Sequence, residues 1–201
     1  MKQVNDEEIL VNAPAPVPLT PRQRELFNAL LRDFLSEGFE NFTIDSAVKK
    51  YHCSKSTIYG IGATRDQIIS RILISYFKEI ARRTAPQAKR AGSLAVALED
   101  YFDAMTSALE GASPKFMGDL ATEPVAREIY SINTEAAVNV IHGLIEEGVA
   151  AGEFNVDSVG FASVLIQRSM QDIQQGIYSA HLNSKDAYQA LGQIVLRGLC
   201  V

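Results

Sequence analysis

Five side chains in one short stretch, Ser54, Lys55, Ser56, Thr57 and Tyr59, carry the chemistry needed to grip a phosphodiester backbone and touch base edges. Short hydroxyls let a protein backbone come close to a duplex, and a lysine reaches a phosphate or a guanine edge. A tyrosine hydroxyl can bond a phosphate while its ring packs on the protein. Thr43 and Thr64 flank this cluster at positions where a hydroxyl can cap a helix, and free N–H groups at helix starts are ready phosphate sites. Capping and turn chemistry alone would use the same Ser/Thr residues.

Other chemistries have little to work with. His52, His142 and His181 form no His-x-x-His or Glu-x-x-His pair, and no glycine-rich phosphate loop is present. Cys53 and Cys200 lie far apart with no CxxC, so neither a metal, a disulfide framework nor a cofactor is expected. No apolar run approaches the ~20 residues of a membrane span and no basic-then-apolar leader is seen, which favours a cytoplasmic protein with no membrane partner. The net charge of -5 hides an asymmetry. Thr20 to Ala85 holds 11 Lys+Arg against 7 Asp+Glu, whereas Pro86 to Val201 holds 7 against 14. The first segment suits a polyanion and the second does not.

The elements that must position these residues read as helices throughout. Residues 1–19, acidic and then rich in proline, read as a mobile tail. Leu26, Phe27, Leu30, Leu31, Phe34 and Leu35 mark one helical stripe that Gly38 stops, with Phe39 and Phe42 folding back as core plugs. Two short helices follow, capped by Thr43 and Ser54, with Tyr51 and Cys53 in the turn between. A fourth begins at Thr64, where Thr64 and Gln67 form a capping-box pattern, and runs to Pro86. Beyond it lie a helix from about Leu94 to Leu109, a short segment around Phe116, and a long helix opened by Pro124 and ended by Gly152. The last two helices run from about Asp157 to His181 and from Ser184 to Leu199. The expected fold is therefore all-α, about nine helices. A three-helix helix-turn-helix unit with a linking fourth helix (20–85) precedes a larger helical bundle (86–201). The last two helices are apolar on more than one side, so their own bundle or a second subunit must cover them; the second is preferred, because terminal helices are rarely central.

The stretch Phe42-Thr43-Ile44-Asp45, then His52-Cys53-Ser54-Lys55-Ser56-Thr57-Ile58-Tyr59, then Thr64-Arg65-Asp66-Gln67-Ile68 resembles the signature of the tetracycline-repressor (TetR) family. The Thr20–Gly38 helix, ending Glu-Gly-Phe, is similar to that family's first helix, so the resemblance covers about residues 20–80. It implies that Ser54, Lys55, Ser56 and Thr57 face bases and phosphates, that Tyr59 holds a phosphate, and that Thr43, Thr64 and Arg65 anchor the neighbouring strand. Two departures stand out. Gly60-Ile61-Gly62 replaces the family's polar and aromatic residues after Tyr59, which would leave the recognition helix less rigidly held. His52-Cys53 replaces a usual Gly-Val, Cys53 filling the valine's apolar site.

The same resemblance implies a repressor of double-stranded operator DNA, working as a homodimer through helices at about 157–199. A small-molecule effector in the larger domain would then widen the spacing of two recognition helices set about one DNA turn, ~34–36 Å, apart. Candidate pocket residues are polar or soft side chains on apolar faces: Tyr101, Met105, Phe116, Met117, Tyr130, Asn133, His142, Gln167, Met170 and Gln171. The acidic surplus of this domain favours a cationic or neutral effector. Two other readings stay open, a helical adaptor with a vestigial helix-turn-helix and an all-α enzyme.

Overall fold

The computed structural model describes residues 18–89 and 92–200, so the expected tail lies outside the described residues up to residue 17. Among the described residues the chain forms nine α-helices and a 3-10 turn, Gln87–Lys89. The only extended pairing among them is an isolated antiparallel bridge between Phe154 and Cys200.

The first unit comprises α1 (Pro21–Glu37), α2 (Ile44–Lys50), α3 (Lys55–Tyr59) and α4 (Arg65–Thr84). Each starts where a side chain can satisfy an orphaned N–H. Thr20 accepts from Gln23 N–H while the Gln23 amide returns to Thr20, and Thr43 and Ser46 form the same reciprocal pair. Ser54 accepts from Thr57 N–H and Thr64 from Gln67 N–H. At α4 the expected reciprocal box does not close, because the Gln67 amide reaches past Thr64 to the Ala63 N–H at 2.9 Å.

The remaining helices are α5 (Leu94–Ala108), α6 (Pro114–Thr122), α7 (Pro124–Ala151), α8 (Val159–Gln174) and α9 (Ser184–Leu199). Pro114 and Pro124 open their helices, and Gly152 closes α7 in the left-handed region at φ 76°. The segment expected to be helical up to His181 stops at Gln174 instead. Gly176 turns the chain at φ 71°, and Ile177 to His181 continue as turns.

Two apolar cores result. In the larger unit α5, α7, α8 and α9 bury Leu98, Phe102, Ile141, Ile145, Ile166 and Tyr188 among others. Gly192 of α9 lies so close to Phe102 that a Cβ there would sit 2.8 Å from the ring. In the other core Leu30, Phe34, Ile58, Ile68, Ile72 and Leu73 join Phe116, Met117, Leu120 and Tyr130. The helix-turn-helix thus shares its core with α6 and the start of α7, and Phe116 makes edge-to-face contacts with Phe39 and Tyr76.

Polar contacts run along the same seam. Ser113 N–H donates to the Leu35 carbonyl at 2.8 Å, satisfying the end of α1. The buried Asp119 carboxylate accepts from Phe39 N–H and, at 2.8 Å, from Glu40 N–H. Gly38 makes room for it: a Cβ at this φ 78° position would lie 2.4 Å from Asp119 Oδ2. Arg65, at the start of α4, pairs with Glu123 at 3.0 Å. Asp119→Ala strands one buried and one half-exposed N–H and is expected to cost about 2–3 kcal/mol, lowering Tm by roughly 5–10 °C. Asp119→Asn, which keeps an acceptor, should recover much of that loss in a thermal unfolding scan.

Candidate nucleic-acid interface and internal cavity

The second short helix, α3, rests its inner side on the core through Ile58, which is fully buried, while Ser54, Lys55, Ser56 and Tyr59 are exposed and Thr57 is half-buried. Thr43 and Thr64 are exposed at the starts of α2 and α4. Six of the eight expected contact residues are thus exposed and a seventh, Thr57, is half-buried. Their hydroxyls are partly spent on structure: Ser54 Oγ caps α3 and lies 2.7 Å from Ser56 Oγ and 2.9 Å from Thr57 Oγ1. The Lys55 ammonium bonds Asp45 of α2 at 2.8 Å, which raises the lysine pKa and lowers that of the carboxyl.

Arg65 differs from the expectation of a phosphate anchor. Its guanidinium turns inward, donating to the carbonyls of Phe42 (3.0 Å), Phe39 (3.2 Å) and Glu40 (2.7 Å) as well as to Glu123 and Asp66. The loop after α1, Glu123 and the neighbouring Asp66 all meet that one planar fork, which leaves it little freedom to reach a phosphate.

The turn between α2 and α3 is held from α1. Tyr51 donates to Asp33, and Lys50 bridges Asp33 (2.6 Å) and Glu37 (3.1 Å). Burial alone would raise the Asp33 carboxyl, but the Lys50 and Tyr51 bonds outweigh it and hold the group below the usual carboxylate range. His52 takes φ 47°, a left-handed conformation that a glycine would adopt without strain. Cys53 packs half-buried against the apolar core.

After Tyr59 the chain departs from the expectation of a loosely held helix. Ile61 is 2% exposed and plugs the core, and its N–H closes on the Ile58 carbonyl at 2.8 Å. Arg71 from α4 donates to the carbonyls of Gly60 (3.3 Å) and Ile61 (2.9 Å), satisfying the C-terminus of α3. Both glycines mark close approaches. A Cβ at Gly60 would collide with the end of the Gln23 side chain and lie 3.3 Å from the Thr57 carbonyl oxygen, whereas one at Gly62 would lie 2.8 Å from the Ile68 backbone nitrogen.

A second feature lies between α4 and α7, floored by α5, α8 and α9: a mainly apolar cavity of about 680 Å³. Tyr101, Met105, Tyr130, Asn133 and Met170, five of the ten expected pocket residues, line it. Thr84, Thr134, Tyr188 and Lys78 line it too, and sequence reasoning missed them. Tyr188 could have been found as a polar-tipped residue on the apolar stripe of the last helix. Burial raises the phenols of Tyr130 and Tyr188, which share a hydrogen bond, and Tyr188 also donates to the Met170 carbonyl at 3.3 Å. The other five lie elsewhere. Phe116 and Met117 are core residues of the seam, since their side chains face Phe39 and α1 rather than α5. His142 is half-buried with Nδ1 2.9 Å from Ser163 Oγ, tying α7 to α8. Gln167 and Gln171 are half-buried on α8 away from the cavity lining.

The two glycines separate a rigid from a yielding contact. Gly62→Ala should destabilise by about 1–3 kcal/mol, because backbone cannot retreat. Gly60→Ala, displacing only a flexible amide, should stay within about 1 kcal/mol of wild type. Urea unfolding of the two variants checks the order.

Residues 90–201, more than half of the chain, match a TetR C-terminal family model described as "QacR-like protein, C-terminal region". No curated protein matches the chain. Solved structures share its fold. A TetR-family transcriptional regulator from Agrobacterium tumefaciens aligns with a TM-score of 0.70 at 10% identity, covering 90% of this chain and 98% of that one. The fatty acid degradation regulator FadR from Bacillus halodurans aligns at 0.68 and 12% identity, covering 90% and 98%. The ketosteroid transcriptional regulator KstR2 of Mycobacterium tuberculosis aligns at 0.61 and 17% identity, covering 93% and 98%. With a family model matched over more than half of its length and a fold shared with solved regulators of that family, the chain belongs to the TetR family of DNA-binding transcription regulators.

Proposed function

We propose that the protein is a repressor that leaves its operator when a small molecule occupies the cavity between α4 and α7. The single observation that carries this reading is the position of α4. Its first two turns hold the helix-turn-helix through Arg65 and Arg71, and its last turns, with Phe77, Ala81 and Thr84, form one wall of the cavity. A straight helix of 20 residues spans about 30 Å, so a shift at one end is delivered to the other. An effector acts only if it binds the DNA-released arrangement better than the DNA-bound one, which a wedge between α4 and α7 would satisfy.

On this reading residues 20–85 hold the DNA and 86–201 sense and dimerise. Ser54, Lys55, Ser56, Thr57 and Tyr59 enter the major groove, Thr43 and Thr64 hold phosphates through their helix N-termini, and the working compartment is the cytoplasm, where operator DNA lies. Dimerisation is assigned to α8 and α9. Phe161, Val164 and Leu165 recur at helical spacing on α8 with 65%, 60% and 52% of their surface exposed, and Ile194 of α9 is 69% exposed. Residues this apolar in a row call for cover, and a twofold partner supplies it.

Gel shift against DNA upstream of the coding sequence tests the first part. Affinity should fall steeply as salt rises, and Lys55→Ala with Tyr59→Ala should abolish the shift while leaving the dimer intact. Unchanged binding in that double variant would show that α3 is not the reading surface. Phe161→Glu with Leu165→Glu should convert the dimer to monomer in sedimentation velocity and weaken operator binding with it; a persistent dimer would place the interface elsewhere.

A further inference from the structure

We infer that the cavity selects against cations and takes a largely apolar molecule that is either uncharged or carries its only charge, a negative one, at the mouth beside Lys78. This rests on the cavity being the effector site. Among the described residues no carboxylate lines it, and Lys78 is the one charged residue that does. The acidic surplus of the larger unit, which favours a cation when read from composition, is spent elsewhere. Asp119 and Glu123 face the helix-turn-helix, Glu153 caps α5 through Ser93 and the Leu94 N–H, and Glu128, Glu135, Glu146 and Glu147 are exposed.

The polar groups inside are neutral donors and acceptors. Burial pushes the Tyr101 phenol up to about 12 and raises those of Tyr130 and Tyr188 from their ordinary value too, so none of them supplies a negative charge near neutral pH. A cation entering such a site would lose hydration with no carboxylate to replace it. A contact with an aromatic ring face returns only part of what a counter-charge supplies. A neutral polar group pays less and can bond the tyrosine hydroxyls or the Asn133 amide. A negative charge need not enter: Lys78 is exposed, makes no ion pair among the described residues, and can lay its methylene stem along the apolar wall while its ammonium stays in water.

The test uses three fluorescent or coloured probes on the full-length dimer: neutral N-phenyl-1-naphthylamine, anionic 1-anilinonaphthalene-8-sulfonate, and the lipophilic cation crystal violet. The neutral and anionic probes should bind saturably and compete with each other, and crystal violet should displace neither. Ala81→Trp, at the exposed rim, and Ala137→Trp, deeper in the wall, should each remove that binding; the rim variant guards against a folding defect. Lys78→Glu should weaken the anionic probe by about five- to tenfold and leave the neutral one unchanged. Displacement by crystal violet would overturn the charge selection while leaving the cavity as the effector site. An unchanged anionic affinity in Lys78→Glu would overturn the placement of the charge. Probe binding indifferent to both tryptophan variants would remove the cavity reading itself, and with it this inference.

Discussion

A single buried carboxylate, Asp119, holds the loop that follows α1, and the arrangement of the two units depends on it. A polar group out of water must be hydrogen-bonded, and here two successive backbone N–H groups donate to its Oδ2. That geometry demands a glycine beside it, because any side chain at residue 38 would occupy the space of the carboxylate. Arg65 gathers the carbonyls of the same loop from the other side and passes its remaining charge to Glu123. The N–H groups of one short loop are thus bonded from α6 and its carbonyls from α4. The loop has no independent position, and neither has the helix-turn-helix built on it.

This explains why the fold was legible in the sequence and the seam was not. Helix starts are decided within four residues, so Thr20, Thr43, Ser54 and Thr64 announce themselves, as do Pro124 and Gly152. Asp119 lies 80 residues from Phe39, and no local pattern marks an aspartate that will cap a distant loop. Arg65 illustrates the opposite hazard. Its place in the motif suggests a phosphate contact, but three carbonyls and a carboxylate claim it first. Ile61 reads as a lost aromatic anchor, yet its branched side chain fills the core between two glycines that let α1 and α4 close in. The end of α8 was missed because apolar residues continue past it; Gly176 decides the matter through its backbone conformation, not its hydropathy.

The cavity was half legible for a related reason. Helical periodicity identifies which face of a helix turns inward, but it does not say whether the space opposite is filled. Tyr130 and Phe116 carry the same kind of signal, and Phe116 meets Phe39 and Tyr76 while Tyr130 borders an opening. The difference arises from how α4, α5 and α7 diverge, which is a property of three helices at once.

The ion pair between Lys55 and Asp45 has a bearing on how such a protein searches a chromosome. On the proposed reading of α3 this lysine is already paired within its own chain, so its arrival at an arbitrary phosphate would exchange one anionic partner for another. Such an exchange would add little at a random site. Residence would then depend on whether the exposed hydroxyls of Ser54 and Ser56 fit the groove they meet, a quantity that differs between sequences. An acid of the same chain beside such a lysine would leave shape and hydrogen bonding to decide where the protein stops.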